Sequence, residues 1–351
     1  RQHHEHVVED DVITPPSDAA APDTVAPQRP KVDVAPDDAF VFGPTIDFGP
    51  TDGALGDAVW RMPAGAHVRL APGVYRGPIA FPEDLCLEAA RGLGSVTITG
   101  SQGATLSVEG AANVQLINLM LKGPTRGFGA VLQVYQQADV RVDGCVLTGG
   151  RGRGEGGGAV DLQAGRVRIR RCRITHNVAL QGGGVRASGT VRVEASNCVF
   201  ADNRVEGAGG GAVFAAFGAH VSLLGCTFTG NRGAIGSSVL SAGTIGARVE
   251  LDCCLIAQDE RGLCVASQDD GVVSIQRSLL PTLAEHVSAG IEVNATVRQR
   301  GVGVQRDVDP PYSVSFPVVL RGIGGPAQFD DDTRADLYGR SRRDVWVGAV
   351  A

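Results

Sequence analysis

Seven short segments of this chain restate one another at steps of 24–28 residues. They are VQLINLMLKG from Val114, VRVDGCVLTGG from Val140, VRIRRCRITHN from Val167, VRVEASNCVFADN from Val191, VSLLGCTFTGN from Val221, VELDCCLIAQD from Val249 and VSIQRSLLPT from Val273. One column of the alignment reads Leu119, Cys145, Cys172, Cys198, Cys226, Cys254, Ser278. A glycine-rich phrase keeps pace with it (GFGAVLQV, GGGAVDLQ, GGGVRA, GGGAVFAA). So does the last residue of THN, ADN and TGN, which is Asn177, Asn203 and Asn231. A fixed period of this size means a stack of like units, each burying its apolar face against the next.

Inside a unit the period is two. Val167, Ile169, Cys172 and Ile174 are interleaved with Arg168, Arg170 and Arg173, so the apolar set points inward and the arginines outward. Two or three short strands per unit make one coil of a parallel β-helix. A leucine-rich repeat would need a Leu-x-x-Leu-x-Leu signature, which is absent, and a propeller blade of about 40 residues is too long for this step. The cysteine column reads as small apolar residues stacked inward. Buried thiols are expected there, with disulfides between coils, or involving Cys253 and Cys264, as the geometric alternative. No Cys-x-x-Cys occurs and no His accompanies the column, so no metal is expected. The glycines mark sharp turns or close approaches between coils. The asparagines are expected to adopt the left-handed conformation at a corner and to stack as an amide ladder.

The ends differ from the middle. Residues 1–38 mix Pro, Ala, Asp and Val without a period and are expected to be a disordered tether. His3, His4 and His6 fall in this polar end, where nothing orients them as metal ligands. Residues 39–351 are expected to form the solenoid, with cap and first coils at 39–110, regular coils at 111–285 and a closing segment at 286–351. The phrase AHVRLAPGVYRGPIAF reads as strand, Pro-Gly turn, strand. It resembles the opening coil of right-handed parallel β-helix proteins of the pectin-lyase-like group, in which a short helix caps the stack. Ala54 to Arg61 would be that cap. The fold class is thus all-β, a single right-handed parallel β-helix with a helical cap.

Net charge is −6, with 32 basic and 38 acidic residues. There is no overall basic field, so nucleic acid is not an expected partner. No run of 18 apolar residues exists to span a bilayer.

Two further resemblances bear on function. FADN with GGGAVF, and FTGN with GAI, resemble the repeats of polymorphic outer-membrane proteins over Gly156 to Ile235. The C-terminal FDDDTRADLYGRSRRDVWVGAVA resembles the closing segment of β-helix proteins with a choice-of-anchor Q domain, matched at Asp336, Gly339, Arg342 or Arg343, Asp344, Gly348 and Ala349. The tether resembles spacers that follow the lipidated cysteine of bacterial surface lipoproteins, so a lipid anchor upstream of residue 1 is an expectation. Together these imply an exported protein at the outer surface of a Gram-negative bacterium, tethered or secreted, with a structural, adhesive, glycan-binding or protein-binding role.

The alternative is a polysaccharide lyase or glycosidase. A lyase needs acids to hold Ca²⁺ and a basic residue to take a proton. Arg168, Arg170, Arg173 and Arg192 would offer the base, but Asp143, Asp161 and Asp202 occupy different positions within their units. A solvated charged face is the simpler reading. For hydrolysis the candidates are Asp269 and Asp270 of SQDDGVVSI, His286 and Arg298, in an order that resembles fold-related hydrolases. Asp-Asp-Gly is also ordinary turn chemistry. No other cofactor is expected. GRGRGEGGG (Gly150 to Gly158) lacks the Gly-Lys-Ser/Thr ending of a phosphate loop and reads as a flexible corner with exposed Arg151 and Arg153.

Overall fold

The structure is a computed structural model that describes residues 42–154, 156–207, 209–242, 246–257, 263–281, 291–294, 297–299, 304–305 and 313–314. By contacts the chain divides into Arg1–Ala39 and Phe40–Ala351. The tether expected at 1–38 lies outside the described residues, as do Asp336 to Ala349.

Three parallel sheets wind together. Among the described residues sheet A has 11 strands, sheet B has 10 and sheet C has 8. One coil shows the order: Val160–Leu162 joins sheet C, Arg166–Arg170 sheet A, and Arg173–Thr175 sheet B. The sheet A register stacks Val140, Val167, Val193, Val221, Val249 and Val273. The fourth unit is therefore in phase from Val193. Val191 belongs to the preceding turn, its N–H bonded to Gly189 O at 2.8 Å. The cap is a helix at Leu55–Val59, shorter than expected, whose Leu55 and Val59 are buried. Among the described residues no helix is long and apolar enough to cross a membrane.

The cysteine column lies inside. Cys145, Cys172, Cys198, Cys226 and Cys254 are at most 1% exposed, and all eight cysteines are thiols, not disulfides. The Cys145 sulfur accepts the N–H of Leu119, and Cys172 accepts that of Cys145, both at 3.3 Å, so the column is stitched from coil to coil. Burial pushes the thiols of Cys145, Cys198 and Cys254 well above their ordinary range. Cys86 is pushed up to about 12 by burial and then by the charge of Glu88. Protonated and enclosed, these four sulfurs serve packing.

The asparagines form the ladder but are not the left-handed residues. That conformation belongs to the residue before each: His176 (φ 56°), Asp202 (φ 54°) and Gly230 (φ 58°). The left-handed step turns the chain so that the next side chain points into the corner. There Asn177 Nδ2 donates to Asn203 Oδ1 at 2.9 Å and to Leu147 O at 3.1 Å. Asn203 Nδ2 donates likewise to Asn231 Oδ1 at 3.0 Å and to Ile174 O at 2.8 Å. A second left-handed column (Asn118, Gly144, Arg171, Asn197, Gly225, Cys253, Arg277) makes the bend between sheets A and B, just before the cysteine column.

The triple glycines answer to crowding. A Cβ on Gly211 would sit 2.0 Å from the Ser237 carbonyl oxygen, and one on Gly158 would sit 2.2 Å from that of Gly183. Successive coils touch backbone to backbone there.

Replacing Asn203 by Ala removes the acceptor of both the Asn177 side-chain amide and the Asn177 backbone N–H. Two buried donors are orphaned, so a loss of about 2–4 kcal/mol is expected, read as a shift in the urea midpoint. An unchanged midpoint would show that the ladder does not hold the corner.

Candidate functional site

The outward face of sheet C holds a groove. Gln133, Asp161 and Arg186 stand in register on three successive strands, Leu132–Val134, Val160–Leu162 and Val185–Ser188. Asp161 and Arg186 form an ion pair, Nη1 to Oδ1 at 3.1 Å, with side chains only 2% and 6% exposed. The other Asp161 oxygen accepts Gln163 Nε2 at 3.0 Å and Gln133 Nε2 at 3.3 Å. Both carboxylate oxygens are thus engaged, which offsets the cost of burying the charge.

Two hollows of about 390 and 510 Å³ flank this pair and share Gln133, Arg153, Gly156 and Asp161. Phe128 stands on the wall of one and Phe217 on the wall of the other, 54% and 50% exposed. The Arg153 guanidinium lies 5.4 Å from the Phe128 ring centroid, a cation–π contact. Beside the groove, burial and then the charges of Asp161 and Glu109 raise the Tyr135 phenol above its usual range, which keeps the hydroxyl neutral.

The wall that carries Arg153 is the corner expected to be a flexible loop. Its start is pinned instead. Gly129 and Arg151 exchange backbone hydrogen bonds of 2.7 and 2.9 Å, and Gly152 N–H donates to Val178 O at 2.8 Å. Backbone groups that a lone loop would leave to water are satisfied by the coils on either side.

The sequence profile of the right handed beta helix region matches residues 88–273, just over half of the 351-residue chain. The chain belongs to the right-handed β-helix family. Solved structures similar to this β-helix protein include the pectin methylesterase from Aspergillus niger, with 16% identity over 77% of this chain and 92% of that chain, at a TM-score of 0.38. Another is the alginate lyase from Paenibacillus sp. str. FPU-7, with 11% identity over 72% of this chain and 97% of that one, at a TM-score of 0.43. No curated protein matches the sequence.

The residues singled out in the sequence of this β-helix protein fall in separate places. Asp269 is left-handed (φ 52°), and both it and Asp270 are exposed in the turn between Val265–Ser267 of sheet C and Val272–Gln276 of sheet A. Arg298 lies in the strand Val297–Gln299 of sheet B. His286 lies outside the described residues. Asp143 faces outward on sheet A, where it accepts Arg171 Nε at 2.9 Å. Asp202 sits at a corner, 3.9 Å from His176. The arginines offered as bases divide between sheets: Arg168, Arg170 and Arg192 on A, Arg173 on B. Arg168 pairs with Asp139 at 2.5 Å and Arg192 with Glu194 at 2.7 Å. Among the described residues no three His, Cys, Asp or Glu side chains converge to hold a metal ion.

The Asp161–Arg186 pair was legible in principle. GGGAVDLQ and GGGVRAS place opposite charges at the same step after the glycines once one residue is dropped from the first phrase. That one-residue difference hides the register.

Proposed function

We propose that this protein is a glycan-binding β-helix, and that the sheet C groove is where the sugar lies. The observation that carries the reading is a floor of fixed polar side chains between two exposed aromatic rings. Sugars present hydroxyl edges and apolar C–H faces. Gln133, Gln163, Asp161 and Arg186 offer donors and acceptors held in place by one another, as ligand sites require. Phe128 and Phe217 offer flat apolar surfaces. The groove crosses successive coils, so an extended chain would lie along the stack.

Binding is favoured over cleavage by the state of Asp161. An inverting glycosidase needs two carboxylates about 6.5–9.5 Å apart, one of them free to take a proton from water. Asp161 is the one acid among the described lining residues, and its two oxygens are occupied by Arg186 and two glutamine amides. An exported location at the cell surface belongs to the same proposal, and fractionation of the producing cells tests it: confinement to the cytosol would remove it.

The binding test is a glycan array followed by calorimetric titration of the best ligand. Phe128→Ala, Phe217→Ala and Arg153→Ala alter exposed side chains and leave the core alone. Each is expected to weaken binding about tenfold, equivalent to about 1.4 kcal/mol. A protein that binds no glycan, or whose affinity ignores all three changes, would refute the groove.

A further inference from the structure

Sheet B changes character along the stack. One row of outward positions begins with Val74, Thr97, Met120 and Val146, in register on successive strands. These meet water: Val74 is 61% exposed and the other three are half-buried. The same row continues through Arg173 to Val199, Thr227, Leu255 and Leu279. Those last four also point away from the core, yet they are at most 2% exposed. The row two residues on repeats the change. Lys122 and Thr148 give way to Ala201, Thr229 and Ala257, at most 3% exposed.

The inward residues of these strands, Phe200, Phe228, Ile256 and Leu280, belong to the central apolar cluster. Val199, Ala201, Leu255, Ala257 and Leu279 belong to neither of the two apolar clusters formed among the described residues. An outward face that is apolar and enclosed has a packing partner in place of water. The chain leaves the stack beside this face. Val297–Gln299 of sheet B pairs with Leu279–Pro281, and Ser313–Val314 pairs with Val304–Gln305 a few residues on. From Val314 the sequence runs on to Ala351. It opens with Val314, Phe316, Val318 and Leu320 at a period of two, the pattern of an extended segment with one apolar face. Past Ile323 it turns to Gly-Gly-Pro and then to Asp330, Asp331 and Asp332.

We infer that the outward face of sheet B from Val199 to Leu279 is the docking surface of the chain's own residues 315–323. Phe316, Val318 and Leu320 pack there on Val199, Leu255 and Leu279. The reach is sufficient. Four strands span three steps of about 4.8 Å, or about 14 Å, which about five extended residues cross at about 3.3 Å each. The chemistry also matches. The outward positions Val199, Ala201, Thr227, Thr229, Leu255 and Ala257 carry no charge. An apolar segment suits them, whereas the acidic stretch at 330–332 would bury carboxylates with no counter-charge. Pro317 has no N–H, so the contact rests on side chains and not on an added sheet ladder. Docked in this way, the segment shields a flat apolar face through which copies of the chain would otherwise associate. The surface is on a different sheet from the groove and does not rest on it.

The test places a photo-reactive benzoyl-phenylalanine at Val318 of the full chain and maps its cross-links by mass spectrometry. Links to peptides carrying residues 199–201, 227–229 or 255–257 are expected. Links only elsewhere, links that join two chains, or no links at all would overturn the inference. Val318→Asp/Leu320→Asp gives a second measurement, since it sets charge against the same face and changes no residue of the strands beneath. Amide exchange in Val199–Ala201, Thr227–Thr229 and Leu255–Ala257 is expected to quicken about tenfold in this variant. Exchange in Val96–Thr99, where the outward side already meets water, should stay as in the parent. Trp346→Asp alters the chain beyond the segment and should leave all four strands unchanged. The parent is expected to sediment as a monomer, and the double-Asp variant to self-associate through the uncovered face. Exchange unmoved in that variant, or quickened evenly over the stack, would also overturn the inference. So would a parent dimer that the variant breaks, which would give the face to a second copy. A melting curve checks folding, and if the variant does not fold the cross-links decide.

Discussion

Arg186→Met lowers the stability of the folded chain by about 3–5 kcal/mol, the loss expected when one partner of a buried ion pair is removed. Asp161 then keeps its charge in a site where its side chain is 2% exposed. The glutamine amides on its other oxygen cannot replace the guanidinium, because they carry dipoles and not charge. The reciprocal change, Asp161→Leu, strands the guanidinium and costs a similar amount. The double variant Asp161→Leu/Arg186→Met is expected to recover most of the loss, since neither charge then remains to be desolvated. Gln133, which is half-buried, and Gln163, which is exposed, turn to water. Urea denaturation of the four proteins measures the coupling. If the two single changes add in the double variant, the pair is not interacting across the coils as its 3.1 Å geometry indicates. The double variant has a second use: it retains Phe128, Arg153 and Phe217 while emptying the groove floor of charge, so its glycan affinity separates the floor from the walls.

The second large effect lies inside sheet B. Phe200 and Phe228 stack with ring centroids 4.9 Å apart and planes within 5° of parallel, and both are fully buried. They continue a column with Ile174 below and Ile256 above. Phe200→Ala is expected to cost about 3–5 kcal/mol, from lost apolar burial and the cavity left behind. Gly184 shows why the cavity would not close easily. A Cβ there would lie 3.2 Å from Phe200 and 3.3 Å from Ile174, so backbone already abuts the ring. Phe200→Leu, which fills most of the volume, should cost less than half as much. In a solenoid each coil leans on its neighbours, so damage at one coil weakens the interfaces on both sides. Denaturant midpoints check the magnitude, and hydrogen exchange checks the location: protection should fall first in the coils around residue 200. A uniform loss of protection would contradict the nearest-neighbour account.

The period of the repeat, the inward cysteine column and the alternation of Val167 and Ile169 with arginines were all readable as sequence, because each depends on spacing along the chain alone. The helical cap follows to within a few residues from the resemblance of AHVRLAPGVYRGPIAF to the opening coil of pectin-lyase-like proteins, and not from spacing. Coil registration was less readable: Val191 looked like the start of a unit, and the pairing of Arg166 with Arg192 shows that the unit starts at Val193. The left-handed residues stand one position before the asparagines that the repeat marks, since a side-chain ladder and a backbone bend at adjacent residues leave the same mark in a repeat.

The sites were decided elsewhere. Whether Asp161 meets Arg186 depends on two loops of unequal length closing to the same register, which no single segment encodes. Whether Phe128 and Phe217 stand over that pair depends on corners from different coils rising on one face. The outward row of Arg141, Arg168 and Glu194 likewise exists because residues spread over three repeats are stacked by hydrogen bonding between coils. Local pattern chose the strand and the side of the sheet; the vertical stacking of distant residues chose which charges would be neighbours.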